Sequence, residues 1–152
     1  MRDRREKNKT TNSRVLEPNE SSYLVFTIGK YRYAFVSSKI KEIMYDAKIH
    51  KLPFVPNYIE GVLNCRGNPY TVINTLKLDS ESETEIPENV FLLFKRDDDD
   101  FCVHISNIEV FFEPEAEDVF EDRVKYKQRM IPLFDADRLE TALLRDLASE
   151  GL

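Results

Sequence analysis

The sequence predicts an all-β fold closed by one short C-terminal helix. Eight short runs rich in β-branched, aromatic and other apolar residues punctuate the chain, each bounded by Gly, Pro, Asn, Asp or Ser. The stretch Leu52–Asn74 (LPFVPNYIEGVLNCRGNPYTVIN) gathers two of the four glycines and three of the seven prolines, so the densest turn chemistry falls mid-chain. Apolar spacing of the helical kind occurs at Leu139, Leu143, Leu144 and Leu147, as one stripe near the C-terminus. With 152 residues the chain is long enough to bury a core of its own.

Residues 1–21 are polar, basic and almost free of large apolar side chains, which predicts a disordered tail. Tyr23–Ile28 and Tyr31–Val36 read as two strands joined around Gly29-Lys30. Ser37-Ser38 then caps a short turn into Lys39–Ile43, with Ile40 and Ile43 on one side and Lys41 and Glu42 facing water. Pro53 and Pro56 hold an extended lead-in, since each fixes its own φ and biases the preceding residue away from helix. Tyr58–Cys65 and Tyr70–Ile73 form a hairpin, and Asn64–Pro69 supplies a turn that presents Arg66, with Gly67 at unusual backbone angles. A guanidinium fixed on a turn suits recognition of a carboxylate or of backbone carbonyls on another molecule.

Residues 77–89 read as an acidic loop, Asn89–Phe94 and Phe101–Ile105 as strands, and Asp97–Asp100 as a tip that repels edge pairing. Four consecutive aspartates lack the ligand spacing, central glycine and terminal glutamate of a calcium loop. Ile108–Phe112 is a further strand, Met130–Phe134 the last one, and Asp137 caps the terminal helix.

Charge is divided unevenly. Residues 1–14 carry +4 and residues 23–78 carry +5, whereas residues 79–122 carry −14. Such a bipolar chain is a poor match for a phosphate backbone, which asks for one continuous positive surface. It suits a protein docked between oppositely charged partners, or else the acids are solvated loops. The chain holds no apolar run near the roughly 20 residues of a membrane span and no apolar segment of a signal peptide, so a cytoplasmic protein without membrane insertion is expected.

Catalytic chemistry is scarce. There is no G-x-S-x-G and no Gly-rich phosphate loop. Cys65, Cys102, His50 and His104 lack the close spacing of a zinc site, and Cys102 and His104 share a strand face as core residues commonly do. No enzyme, no cofactor and no metal are expected. A nucleic-acid-binding β-barrel stays open as the alternative, with Tyr and Phe for stacking and the basic half for phosphate.

The order of features resembles the CheW family, the scaffolding proteins of bacterial chemosensory arrays. Phe26-Thr27-Ile28-Gly29 and Tyr33-Ala34 resemble that family's opening hairpin, and Ile40-Lys41-Glu42-Ile43 its V-x-E-I segment. Pro53–Gly67 resembles its signature P-x-x-P-x-(F/Y)-(I/V)-x-G-(V/I)-x-N-x-R-G at every fixed position. Val90–Phe112 is similar to the second subdomain's strands, and Leu133-Phe134-Asp135 with Leu139 to the closing strand and helix. Departures fall at Thr71, Asn74 and Thr75, where the family carries a proline and then an Asp-Leu pair, at Ser106 for an aspartate, and in a shorter stretch 113–129.

The resemblance implies one domain over residues 22–148, built as two intertwined five-stranded SH3-like barrels, with 149–152 a tail. It implies an adaptor that couples chemoreceptor cytoplasmic tips to the regulatory domain of a CheA-type histidine kinase beneath the inner membrane. Other CheW-like domains are further partners, and a non-motility pathway is an alternative output. Receptor binding in the family falls in the groove between subdomains. Carried across by motif, the partner-binding residues are Ile40, Glu42, Gly61, Asn64, Arg66 and Gly67.

Overall fold

Eleven strands and two helices follow from these runs among the residues described, which are 13–15, 22–80, 84–95 and 100–149 of a computed structural model. The strands are β1 Ser13–Val15, β2 Tyr23–Ile28, β3 Tyr31–Val36, β4 Ile40–Tyr45, β5 Ile59–Cys65, β6 Asn68–Ile73, β7 Val90–Phe94, β8 Phe101–Ile105, β9 Asn107–Phe112, β10 Arg123–Tyr126 and β11 Arg129–Pro132. The helices are α1 Thr75–Ser80 and α2 Ala136–Ser149. None of the described helices is long and apolar enough to cross a membrane. The Asp97–Asp99 part of the acidic tip lies outside the described residues.

Strands β4, β7, β8, β6 and β5 run side by side in that order, with β1 added on the outer edge of β4. The described β1 lies within the stretch read as a tail: register partners run from Ser13↔Met44 to Val15↔Glu42. β6 and β8 pair in parallel, while the other neighbours in this sheet are antiparallel. The sheet curls until the link after β4 meets β5: His50 and Val62 exchange both backbone hydrogen bonds at 2.8 Å. Gly61 sits at this seam with φ 145°, and a β-carbon there would lie 2.3 Å from the His50 carbonyl oxygen. Only glycine lets the two backbones come that close.

A second unit is built from β9, β2 and β3, and then, through the parallel bridge Ala34↔Leu133, from β11 and β10. Its strands come from residues 23–36 and 107–132, while the first unit takes the stretch between them together with β1, so the two subdomains are intertwined. Each has a small core of its own: Leu63, Tyr70, Val72, Phe91, Leu93 and Cys102 in the first, and Val25, Ala34, Val124 and Ile131 in the second. The largest cluster lies between them and belongs to both. Phe134 is its hub, with ring centroids 5.7 Å from Phe26, 5.3 Å from Tyr33 and 6.0 Å from Phe94.

Several local expectations change. Ile40–Tyr45 is a strand after a 3₁₀ turn at Ser37–Lys39, so Glu42 points inward with Ile40 instead of facing water with Lys41. Thr75–Ser80 is helical and takes in the start of the expected acidic loop at residues 77–80, because the Asn74 carboxamide oxygen accepts from the Leu76 and Lys77 N–H groups. The hairpin β10–β11 turns through Lys127 (φ 49°) and Gln128 (φ 67°), both left-handed and neither a glycine. Asp135, and not Asp137, caps α2 by accepting from the Arg138 N–H at 3.2 Å. Leu139 and Leu143 face the core, but Leu144 is 57% exposed and leaves the stripe.

A buried polar network braces the back of the first barrel. His104 Nε2 donates to the Glu88 carbonyl at 2.5 Å, and its Nδ1 lies 2.7 Å from Glu60 Oε1. Glu60 Oε2 accepts from Asn74 Nδ2 at 3.0 Å, which ties β5, α1 and β8 together.

Candidate functional site

The β5–β6 hairpin closes in a two-residue turn, Arg66 (φ 53°) and Gly67 (φ 87°), between the paired Cys65 and Asn68. Left-handed angles at both central residues are what a type I′ turn needs to match strand twist. Asn64 Oδ1 accepts from the Gly67 N–H at 2.8 Å and fixes the loop. Nothing stands within 4 Å of where a Gly67 β-carbon would be, so this glycine serves backbone angle and not packing.

Arginine in left-handed backbone costs about 1–2 kcal/mol relative to glycine. Here its side chain has a partner that offsets the cost: Nη1 donates to Glu42 Oε1 on β4. The Glu42 side chain is 2% exposed and that of Arg66 56%. Cys65 adds a long thiol contact to the same carboxylate oxygen at 3.5 Å. The hydrogen bond and charge of Glu42 raise the Arg66 pKa, and burial, followed by the Glu42 charge, raises that of Cys65. Among the described residues, Nε and Nη2 of Arg66 make no further hydrogen bond. The tip therefore carries an oriented guanidinium with one face anchored inside and its other donors outside.

The six residues expected at a partner surface all lie on this hairpin or on β4, but they are not all exposed. Asn64, Arg66 and Gly67 are exposed, whereas Glu42 and Gly61 are buried. Ile40 is fully buried and forms no exposed apolar anchor beside the arginine. Lys41 is the residue that sequence reasoning missed. It is exposed, donates to the Tyr70 hydroxyl at 2.6 Å and lies 5.4 Å from that ring's centroid, and the hydrogen bond raises its pKa. The sequence already set it facing water; what no local window showed is its pairing with Tyr70 on another strand.

A second feature lies between the subdomains. A cleft of about 430 Å³ is floored by Tyr23, Phe35, Val36 and Leu133 over the shared core. Among the described residues no group of three or more His, Cys, Asp or Glu side chains is placed to hold a metal ion.

The described residues thus form two intertwined β-barrel subdomains with an anchored arginine hairpin and a junctional cleft. A family model for the CheW-like domain matches residues 22–109, and the chain belongs to that family. It is 32% identical over 85 residues to a Chemotaxis protein CheW of Helicobacter pylori (strain ATCC 700392 / 26695). That match covers 54% of this chain and 52% of the relative, so the chain spans about half the length of the curated relative it matches. Scaffolding protein TtCheW from Thermoanaerobacter tengcongensis shares the fold, with a TM-score of 0.67 at 17% identity over 77% of this chain and 90% of that one.

Proposed function

We propose that this protein is a non-catalytic adaptor that couples chemoreceptor cytoplasmic tips to a CheA-type histidine kinase in chemosensory arrays. The observation that carries the reading is the Arg66 tip, where a buried carboxylate orients a guanidinium that keeps donors for an outside acceptor. Asn64, Arg66 and Gly67 make the direct contact. Ile40, Glu42 and Gly61 act from within by setting the strand, the anchor and the seam on which the tip stands. The junctional cleft receives the receptor tip, since its apolar floor suits the exposed side of a helix. On this reading the protein works in the cytoplasm, at arrays beneath the inner membrane, and needs no cofactor.

The test is a pull-down of a CheA-type kinase and receptor fragments from the native host, comparing wild type with Arg66→Ala and Arg66→Glu. Wild type is expected to retain both partners, and Arg66→Glu to lose one while its circular dichroism stays native. Capture of neither by wild type would overturn the adaptor reading.

A further inference from the structure

Strand β1 stands apart from the rest of the first barrel. It lies ahead of the CheW-like match, which begins at residue 22. The five other strands of its sheet already close on themselves where the link after β4 meets β5 at His50 and Val62. β1 runs antiparallel to β4 through three register pairs, Ser13↔Met44, Arg14↔Ile43 and Val15↔Glu42. Among the described residues β4 pairs with β7 on its other side, so β1 covers what would otherwise be an open strand edge. Residues 16–21 separate it from the body of the domain at Ser22. Three paired residues make few hydrogen bonds, each a modest gain once the lost bonds to water are counted. So short a strand, on a barrel that is complete without it, is placed to leave and be replaced.

Open edges are where extended peptides add to a sheet, with main-chain pairing giving affinity and alternate side chains specificity. The charges around this edge favour one kind of segment. In the observed register the residue that follows the paired three comes beside Lys41, with Lys39 two further on. Both lysines are exposed, Arg66 is exposed at the neighbouring hairpin tip, and Glu42, the acid of β4, is buried. A carboxylate at that next position would meet a cation, whereas this chain carries Leu16 there. We propose that the edge of β4 is a strand-addition site for an extended segment of a partner protein with an acid at that position, and that β1 holds the edge in cis until such a segment displaces it. β4 then serves twice: its Glu42 side chain orients Arg66, and its backbone edge takes a strand. The proposal goes beyond the adaptor reading and stands or falls without any receptor or kinase present.

Two synthetic peptides copying residues 10–19, one native and one carrying Leu16→Glu, test it by NMR on the isotope-labelled full chain. Arg14→Pro with Val15→Pro removes two backbone donors of β1 and is expected to release it. Alternate amides within residues 41–44 should then lose exchange protection while those facing β7 keep it, the mark of one opened edge. The native peptide is expected to restore that protection, and to bind this variant roughly tenfold or more tightly than wild type, where the tethered strand competes. Leu16→Glu in the peptide should tighten binding a further several-fold, and by less at high salt. A nitroxide on Asn12→Cys, in an otherwise native chain, follows β1 itself, since Cys65 and Cys102 are buried. It should broaden β4 resonances, and the Leu16→Glu peptide should relieve the broadening. Unchanged protection in the proline variant, equal peptide binding to variant and wild type, equal binding of a scrambled peptide, no gain from Leu16→Glu, or broadening that persists at millimolar peptide overturns the proposal.

Discussion

Removing the Arg66 guanidinium should reveal how much the hairpin tip depends on its buried anchor. In Arg66→Ala the Glu42 carboxylate, 2% exposed, loses its charge-assisted partner and keeps only the long contact from the Cys65 thiol. Breaking a fully buried pair costs about 3–5 kcal/mol, and leaving a buried acceptor unsatisfied about 1–3 kcal/mol. Arg66 is half exposed and water can follow its removal, so the lower range applies and about 2 kcal/mol is expected. For a domain of this size that is a fall in Tm of roughly 4–8 °C. Alanine keeps a β-carbon at φ 53°, so the backbone contribution cancels between the two proteins. Arg66→Gly should be less destabilised than Arg66→Ala by about 1 kcal/mol, since glycine relieves the left-handed strain. Glu42→Gln removes the charge that would be stranded, so Arg66→Ala with Glu42→Gln should cost less than the two changes summed, by about 1–2 kcal/mol. Urea unfolding of the four proteins at one pH and ionic strength reads this coupling. Additivity within about 0.5 kcal/mol, or an Arg66→Ala variant as stable as wild type, would refute the anchoring role.

Three other outcomes are expected. Gly61→Ala puts a β-carbon 2.3 Å from the His50 carbonyl oxygen and 2.8 Å from Ile49 Cγ2, so it should cost about 3 kcal/mol or more by thermal unfolding; Gly67→Ala meets only backbone strain and should cost about 1–2 kcal/mol. Equal costs for the two would show that the barrel seam yields easily. Asn74→Asp keeps the cap on α1 but replaces the donor to Glu60 with a second carboxylate, so it should destabilise by about 1–3 kcal/mol, and lowering the pH should recover part of the loss. The Tyr58 hydroxyl donates to Asp146 on α2, and this bond, followed by that from Arg145, lowers the Asp146 pKa. A carboxylate with a lowered folded value stabilises above its unfolded value and loses that contribution as pH falls through the folded one. The protection factors of amides at the end of α2 should therefore fall from about pH 4 downward, and Tyr58→Phe should weaken that dependence to the part that Arg145 sustains.

Strand runs with strong turn signals were legible from the chain alone. Gly29 announced the first hairpin, and Asn64, Arg66 and Gly67 announced the one that carries the candidate site. What escaped lacked a local signal. β10 is four residues long with a single core residue, Val124, and its turn uses Lys127 and Gln128, residues that seldom announce a left-handed turn. In Ile40–Ile43 the helical and strand periods both fit so short a stretch, and pairing with β7 decided between them.

Turn chemistry and alternation are local properties, so the chain alone was enough to show β-rich architecture and an arginine at a hairpin tip. Only the tertiary structure decided that Glu42 anchors Arg66 across 24 residues, that Gly61 closes a seam against His50, and that Phe134 joins two subdomains drawn from interleaved parts of the chain. Those contacts depend on which backbones meet after folding, and no single window of residues encodes a meeting between distant ones.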